Sequence, residues 1–219
     1  AGAYKKGEIK NICELVKPTV GIITVIGWMH LERFGTVENI RKAKMELADF
    51  IKDRSNFFYP KENHKFIDFK ETIMKIGKSM GMTKKEIDER LKSFVTPENR
   101  LRVKKLRENL VVIEDNYNSN PLGFEKALTT LASYKGRQKI VITAGMIELG
   151  EKQFELNMTM GEKSAMAADI LIVVGETNKE ALIAGAKNAK SGKTQIIWWP
   201  KEKNSDTEIS SYLRPPTVI

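Results

Sequence analysis

Residues 111–121 read VVIEDNYNSNP, and the rest of the chain becomes legible around them. Val111, Val112 and Ile113 form an apolar, β-branched run that ends on the acidic pair Glu114-Asp115. A polar stretch, Asn116 to Asn120, follows, then Pro121, then a helical pattern with Leu122, Leu128 and Leu131. An apolar strand, a polar loop and a proline in the first helical turn form the opening of an α/β unit at the carboxyl end of a strand. Ligands of α/β sheets bind at that end. Two readings of the loop stay open on its chemistry alone. It is an Asx-rich turn that caps the next helix, or it is a ligand loop with Asp115 at the strand tip.

Downstream, the pattern alternates regularly. A helix over 122–134 leads to a strand over 139–143, a loop over 145–150 and a helix over 154–167. Next come a strand over 170–174, a helix over 179–189, a strand over 195–199 and, at 217–219, what looks like a final strand cut short. Strands alternating with helices of this length predict βαβ crossovers and a mainly parallel sheet.

Upstream, Ile9, Ile12, Leu15 and Val16 fall on one helical face, stopped by Lys17-Pro18. Val20–Ile26 is β-branched and predicts a buried parallel strand. His30 follows it directly. A helix over 39–50 carries Ile40, Ala43, Leu47 and Phe50 inward, and its Lys44 can lean back over the strand tip. The stretch 52–65 is the least legible. A helix over 66–80 uses Phe66, Ile67, Ile73 and Ile76, and Thr83 with Glu86 is a capping box for a short helix to Phe94. A strongly charged stretch near 101–110 marks a domain boundary, with domains at 1–100 and 101–219.

The 219 residues, 41% hydrophobic and 30% charged, suit one large or two small globular domains. No run approaches the length of a membrane span, no signal peptide is visible, and the single Cys13 suits a reducing compartment. A cytoplasmic protein is expected. The net charge of +9 favours anionic ligands, but Lys and Arg are scattered without interleaved aromatics, which argues against nucleic acid. There is no GxxxxGK[ST] loop, zinc pattern, GxSxG elbow or GxGxxG. Lys193-Thr194 completes a GKT triplet, but without the spacing of a phosphate loop.

Two motifs in register around one βαβ unit resemble the Mur ligases of cell-wall peptide synthesis. They are Glu114-Asp115-Asn116-Tyr117-Asn118-Ser119-Asn120-Pro121 and Gly145-Met146-Ile147-Glu148-Leu149-Gly150. The pattern is closest to the family member that adds D-alanyl-D-alanine to a UDP-muramoyl tripeptide. GAYKKGEI, LVKPTVGIITVIG and HLERFGTVENIRKAKMEL resemble pieces of the family's central ATP-binding domain. The resemblance implies a partial P-loop-ATPase-like central domain and a Rossmann-like C-terminal domain. It implies an ATP-dependent amide ligase working through an acyl phosphate, with ATP and Mg²⁺ as cofactors and a UDP-muramoyl peptide and a D-amino-acid dipeptide as substrates.

Residue by residue, the resemblance makes His30 a metal ligand and Lys44, 14 positions on, a carbamylated lysine bridging the metals; both count as catalytic. Arg100 and Asp115 are implied at the nucleotide, as are His64 and Asp68, and Tyr117, Asn118 and Asn120 at the amine substrate. The chain departs from the family where Lys65 and Asp68 replace two Asn of an adenine-contacting motif, and where Asn99 stands for a Gly. The family's phosphate loop and a metal-binding Glu would lie upstream of residue 1, and the chain opens on Ala1-Gly2 without Met. A piece of a longer ligase, inactive alone, is therefore expected. A ligase for another polymer such as pseudomurein, or a binding scaffold derived from a ligase, is the alternative.

Overall fold

The computed structural model describes residues 2–94, 100–116, 119–190, 193–200 and 205–219, with 205–208 as backbone only. The chain packs as two compact units, Ala1–Val95 and Thr96–Ile219.

In the first unit, α1 (Glu8–Val16) leads to a two-residue strand, β1 (Gly21–Ile22), then α2 (Leu31–Phe34) and α3 (Val37–Met45). Thr36 caps α3 by accepting the Asn39 N–H at 3.1 Å. A 3₁₀ stretch, Glu46–Phe50, carries the chain to β2 (Phe57–Phe58), which pairs parallel with β1. α4 (Phe69–Ser79) and α5 (Lys84–Lys92) follow. The Thr83–Glu86 capping box is formed from both sides. Ile23, Ile26, Ala48, Ile51 and Phe57 make the core of this unit.

Several expectations are corrected here. Val20–Ile26 is not a fully buried strand. Only Gly21–Ile22 is ladder, because β2 offers two residues, and Ile22 is 44% exposed. Beyond it, the Ile23 N–H still donates to Phe58 O at 2.8 Å, and Val25 makes an antiparallel bridge with Phe66. The buried face of α1 is Ile9 and Cys13, while Leu15 and Val16 are 85% and 64% exposed. α4 starts at Phe69, not Phe66, since Asp68 caps it, and it buries Thr72 and Gly77 where Ile73 was expected.

The second unit opens with a hairpin, β3 (Arg102–Arg107) antiparallel to β4 (Leu110–Glu114). Then come α6 (Pro121–Ser133), β5 (Gln138–Thr143), α7 (Gln153–Ala167), β6 (Ile170–Val174), α8 (Lys179–Asn188), β7 (Gln195–Trp199), α9 (Ser205–Tyr212) and β8 (Thr217–Val218). The sheet order is β3-β4-β8-β5-β6-β7, parallel apart from β3. The mainly parallel α/β fold is therefore as the alternation predicts. α9 and the β3–β4 hairpin are additions to it.

Both faces of β6 are covered, so it is apolar throughout, as a central parallel strand must be. Ile170 and Ile172 join Ile140, Trp199, Ile209 and Tyr212 in one cluster. Leu171 and Val173, which point the other way, are fully buried as well.

Candidate active site

The loops at the carboxyl ends of β4 and β5 face one cleft of about 560 Å³. Asp115, Asn116 and Ser119 line it on the β4 side, and Thr143, Ala144 and Gly145 on the β5 side. Phe124, Leu128 and Leu131 of α6 contribute apolar wall.

Asp115 lies one residue past β4. Its Oδ1 accepts the Leu101 N–H at 3.0 Å, across the open end of the hairpin where Arg102 pairs with Glu114. Leu101 has φ +48°, a left-handed conformation that a branched side chain rarely adopts, and this hydrogen bond helps to hold it. The structure thus gathers Arg100 and Asp115 at one corner, although they are 15 positions apart. Glu114 is occupied differently, since Lys104 Nζ reaches both of its oxygens at 2.9 and 2.8 Å. Asn120 caps α6, its Oδ1 accepting the Gly123 N–H at 3.1 Å, with Pro121 at the first helical position. Tyr117 and Asn118 lie outside the described residues.

The second loop, Ala144–Gly150, is held from beneath by amides that the sequence reading missed. Asn157 of α7 is fully buried. Its Oδ1 accepts the Met146 N–H at 2.8 Å, and its Nδ2 donates to Met146 O and Gln153 O at 2.9 and 2.8 Å. Asn178, just before α8, donates to Ala144 O at 2.9 Å and accepts from Gln153 Nε2 at 3.1 Å. Gly145 has φ +79°, and a Cβ there would lie 2.5 Å from Asn157 Oδ1. The available signal was an asparagine among Leu156, Met160 and Ser164 on the buried side of α7. A buried amide in such a place has to be satisfied. Asn157→Leu should cost about 2–3 kcal/mol in urea unfolding, because the buried Met146 N–H loses its partner while Met146 O keeps only the Asn178 amide.

In the first unit, Lys44 of α3 turns back to the end of the 20–26 stretch and donates to Val25 O at 2.8 Å. Burial pulls its pKa down to about 8. The next carbonyl, Ile26 O, accepts the His64 N–H at 2.6 Å. His64 has φ +60°, and its ring lies 3.8 Å from the Trp28 ring. Burial lowers the His64 pKa, and its Nδ1 is buried without a hydrogen-bond partner. His30 takes φ +56° at the start of α2, with its ring 4.6 Å from that of Tyr4. Asp68 is engaged as the α4 cap, accepting the Glu71 N–H at 2.8 Å. Lys44 Nζ and the His64 backbone N–H therefore bind the neighbouring carbonyls of Val25 and Ile26, beyond the end of β1, with His30 four residues past Ile26.

Among the described residues no three of His, Cys, Asp or Glu gather as a metal site. Magnesium requires oxygen ligands, and Lys44 as an ammonium is a donor. These side chains alone do not fit a magnesium ion. Among the described residues no helix is long and apolar enough to cross a membrane.

A strand-tip acid and a helix-capping Asn-Pro loop beside a cleft on a parallel sheet, joined to a separate unit with a desolvated lysine, define an α/β protein with its candidate site at the strand tips. The family models specify it further. Residues 1–113 match the Mur ligase middle domain, and residues 99–212 match the Mur ligase, glutamate ligase domain. The chain belongs to the Mur ligase family.

Its similar curated proteins include the UDP-N-acetylmuramoyl-tripeptide–D-alanyl-D-alanine ligases of Synechocystis and Bacillus subtilis. The first is 21% identical, over 85% of this chain and 52% of that protein; the second is 23% identical, over 68% and 44%. The chain spans about half the length of these relatives. Among solved structures, the MurF ligase of Thermotoga maritima in complex with ADP superposes with a TM-score of 0.74 at 20% identity, covering 99% of this chain and 61% of that one. MurF from Acinetobacter baumannii gives 0.73 at 17% identity, covering 96% and 63%.

Proposed function

We propose that the protein is an ATP-dependent amide ligase of peptidoglycan precursor synthesis that adds D-alanyl-D-alanine to a UDP-muramoyl tripeptide. The substrate carboxylate would attack the γ-phosphorus of ATP and release ADP. The dipeptide amine would then attack the acyl phosphate, lose a proton and expel phosphate. The ligase activity of the similar curated proteins supports this reading, as does the Asp115 corner. That corner carries it: the Asp115 carboxylate fastens Leu101, the residue after Arg100, at a strand tip, where α/β sheets bind ligands. Arg100 would take nucleotide phosphate, a task its planar fork suits, and Asp115 the ribose side.

His64 would sit at the adenine, kept neutral by burial, with Asp68 nearby in sequence as a helix cap. Asn120 Oδ1 is used by its cap, so it would meet the amine substrate through Nδ2, beside Tyr117 and Asn118. These residues position reactants, which is the main task a protein has in such a transfer. Lys44 and His30 are assigned to the family's magnesium site on the resemblance alone, and further oxygen ligands would have to complete it. A UDP-linked precursor places the reaction in the cytoplasm.

Asp115→Asn in the whole ligase tests the corner. Asn retains an oxygen for the Leu101 N–H, so the unfolding midpoint should stay within a degree or two. The kcat/KM for ATP should fall roughly 10- to 100-fold, the loss expected for one charge-assisted contact. An unchanged kcat/KM would remove Asp115 from the site. Absence of ATP-dependent phosphate release with the tripeptide and dipeptide, in wild-type whole protein, would overturn the ligase reading.

A further inference from the structure

In the first unit, Lys44 and His30 sit on elements that two carboxylates tie together. α1 begins on Gly7, which has φ +93° and no side chain to cap the helix. Glu46 supplies the cap from 36 and 39 positions away. Its Oε1 accepts the Gly7 N–H at 2.8 Å, and its Oε2 accepts the Lys10 N–H at 3.1 Å. A capping box divides these two amides, at the N-cap and the third helical position, between two side chains of its own helix. Here one carboxylate from another element takes both.

Glu46 also closes the turn of α3 that bears Lys44. Its own N–H donates to Ala43 O and Lys44 O, and Ala43 is fully buried. Lys44 Nζ in turn reaches Val25 O. Ile9 and Cys13 of α1 line one cavity of about 270 Å³ with Lys44 and Leu47. The bonds from Glu46 thus fix the end of α3 against the start of α1. On the other side of Gly7, Glu8 turns the chain back, its Oε2 accepting the Tyr4 and Lys5 N–H groups at 2.7 and 3.3 Å. That turn sets the Tyr4 ring 4.6 Å from the His30 ring, with the Arg33 guanidinium 5.6 Å from the Tyr4 centroid. His30 has φ +56°, a conformation that persists where the surroundings hold it.

We infer that Glu46 is a positioning residue, which sets the Lys44 amine and, through Gly7 and Tyr4, the His30 ring relative to one another. Its oxygens are engaged by α1, so it acts through these two residues and touches no substrate. A carboxylate suits the task because the first amides of a helix carry partial positive charge. The geometric link stands by itself; its consequence for turnover rests on the ligase reading.

The test uses the whole ligase and four variants: Glu46→Leu, Glu46→Gln, Tyr4→Leu and, as a control for lost stability, Thr83→Ala, which uncaps α5 in the same unit. Leu at 46 accepts from neither amide. Its kcat should fall about 10- to 100-fold, with the KM for ATP within about twofold, the signature of misplaced rather than missing groups. The His30 ring resonance, read by NMR with labelled histidine, should move toward that of an unstacked imidazole. Gln keeps an oxygen for one amide, so its kcat should stay within about threefold of wild type. Tyr4→Leu leaves the Glu46 bonds in place and should move the same resonance. Thr83→Ala should change neither kcat nor the resonance. A kcat for Glu46→Leu no lower than that for Thr83→Ala would overturn the inference. So would a His30 resonance unmoved by Glu46→Leu or by Tyr4→Leu. Wild type without turnover, but with a resonance that moves in both variants, would fail the ligase reading and leave the link between Glu46 and His30 standing.

Discussion

Gly185→Ala is expected to destabilise the second unit by about 3 kcal/mol or more, although helix propensity alone predicts a gain of about 1 kcal/mol for glycine to alanine inside a helix. The reason is the crossing of α7 and α8. A Cβ on Gly185 would lie 1.7 Å from Met158 O and 2.6 Å from Met158 C. The reciprocal contact is nearly as close, with a Cβ on Gly161 2.1 Å from Leu182 O. Both obstacles are backbone, so no rotamer change relieves them. The helices would have to separate by more than an ångström, opening the packing around the buried Leu182, Met160 and Ala186. Overpacking typically costs 1–3 kcal/mol, and this case lies at the upper end because backbone must move.

Urea unfolding of Gly185→Ala, Gly161→Ala and the pair measures it. Because either methyl forces the same separation, the double variant should lose clearly less than the sum of the singles. A stabilised Gly185→Ala would mean that the helices do not cross at these glycines.

Lys44 carries the second large effect. Its pKa is lowered from 10.5 to about 8 by burial. A lysine whose folded pKa lies below its unfolded value binds fewer protons folded than unfolded between those two pH values. Stability therefore rises with pH through the window from about 8 to 10.5, and is flat on either side as far as this group is concerned. The size of the shift corresponds to about 3 kcal/mol at most. Lys44→Met, which keeps most of the stem's packing, should be more stable than wild type below pH 8 and lose that advantage by pH 10.5. Denaturant midpoints of the two proteins at pH 7 and pH 10 check this. A constant difference between them would show that Lys44 is solvated.

The same depression raises the neutral fraction of Lys44 near neutral pH above that of an exposed lysine, and the neutral amine is the form that can add carbon dioxide. In the whole ligase, activity should thus depend on bicarbonate. Lys44→Ala should abolish it, with partial rescue by short carboxylates. Full activity of Lys44→Ala would remove this lysine from the chemistry.

Local sequence was sufficient wherever a local rule decides the outcome. The alternation from Val111 to Trp199 predicted the strands and helices between those residues within a residue or two, because periods of 2 and 3.6 are written in neighbouring side chains. Thr83 with Glu86, and Asn120 with Pro121, marked their helix starts for the same reason. The loops bearing Asp115 and Gly145 were legible as strand-tip loops, and the family resemblance supplied the roles proposed for them.

What pairs or packs across the chain was not legible. Phe57–Phe58 has no pattern of its own, yet it is the partner that limits β1 to two residues. Asp68 entered through the family resemblance alone, and its part as the α4 cap was not read from the sequence. α1 could have buried Ile12 and Leu15 on periodicity alone, whereas its neighbours select Ile9 and Cys13. Asn157 is one polar letter in a helix until Met146 is brought beneath it. The place of β8 between β4 and β5, more than 70 residues from either in the chain, depends on register and on which apolar edge remains unfilled. Such choices are made by burial and backbone pairing between distant segments, and these interactions exist only once the chain has folded.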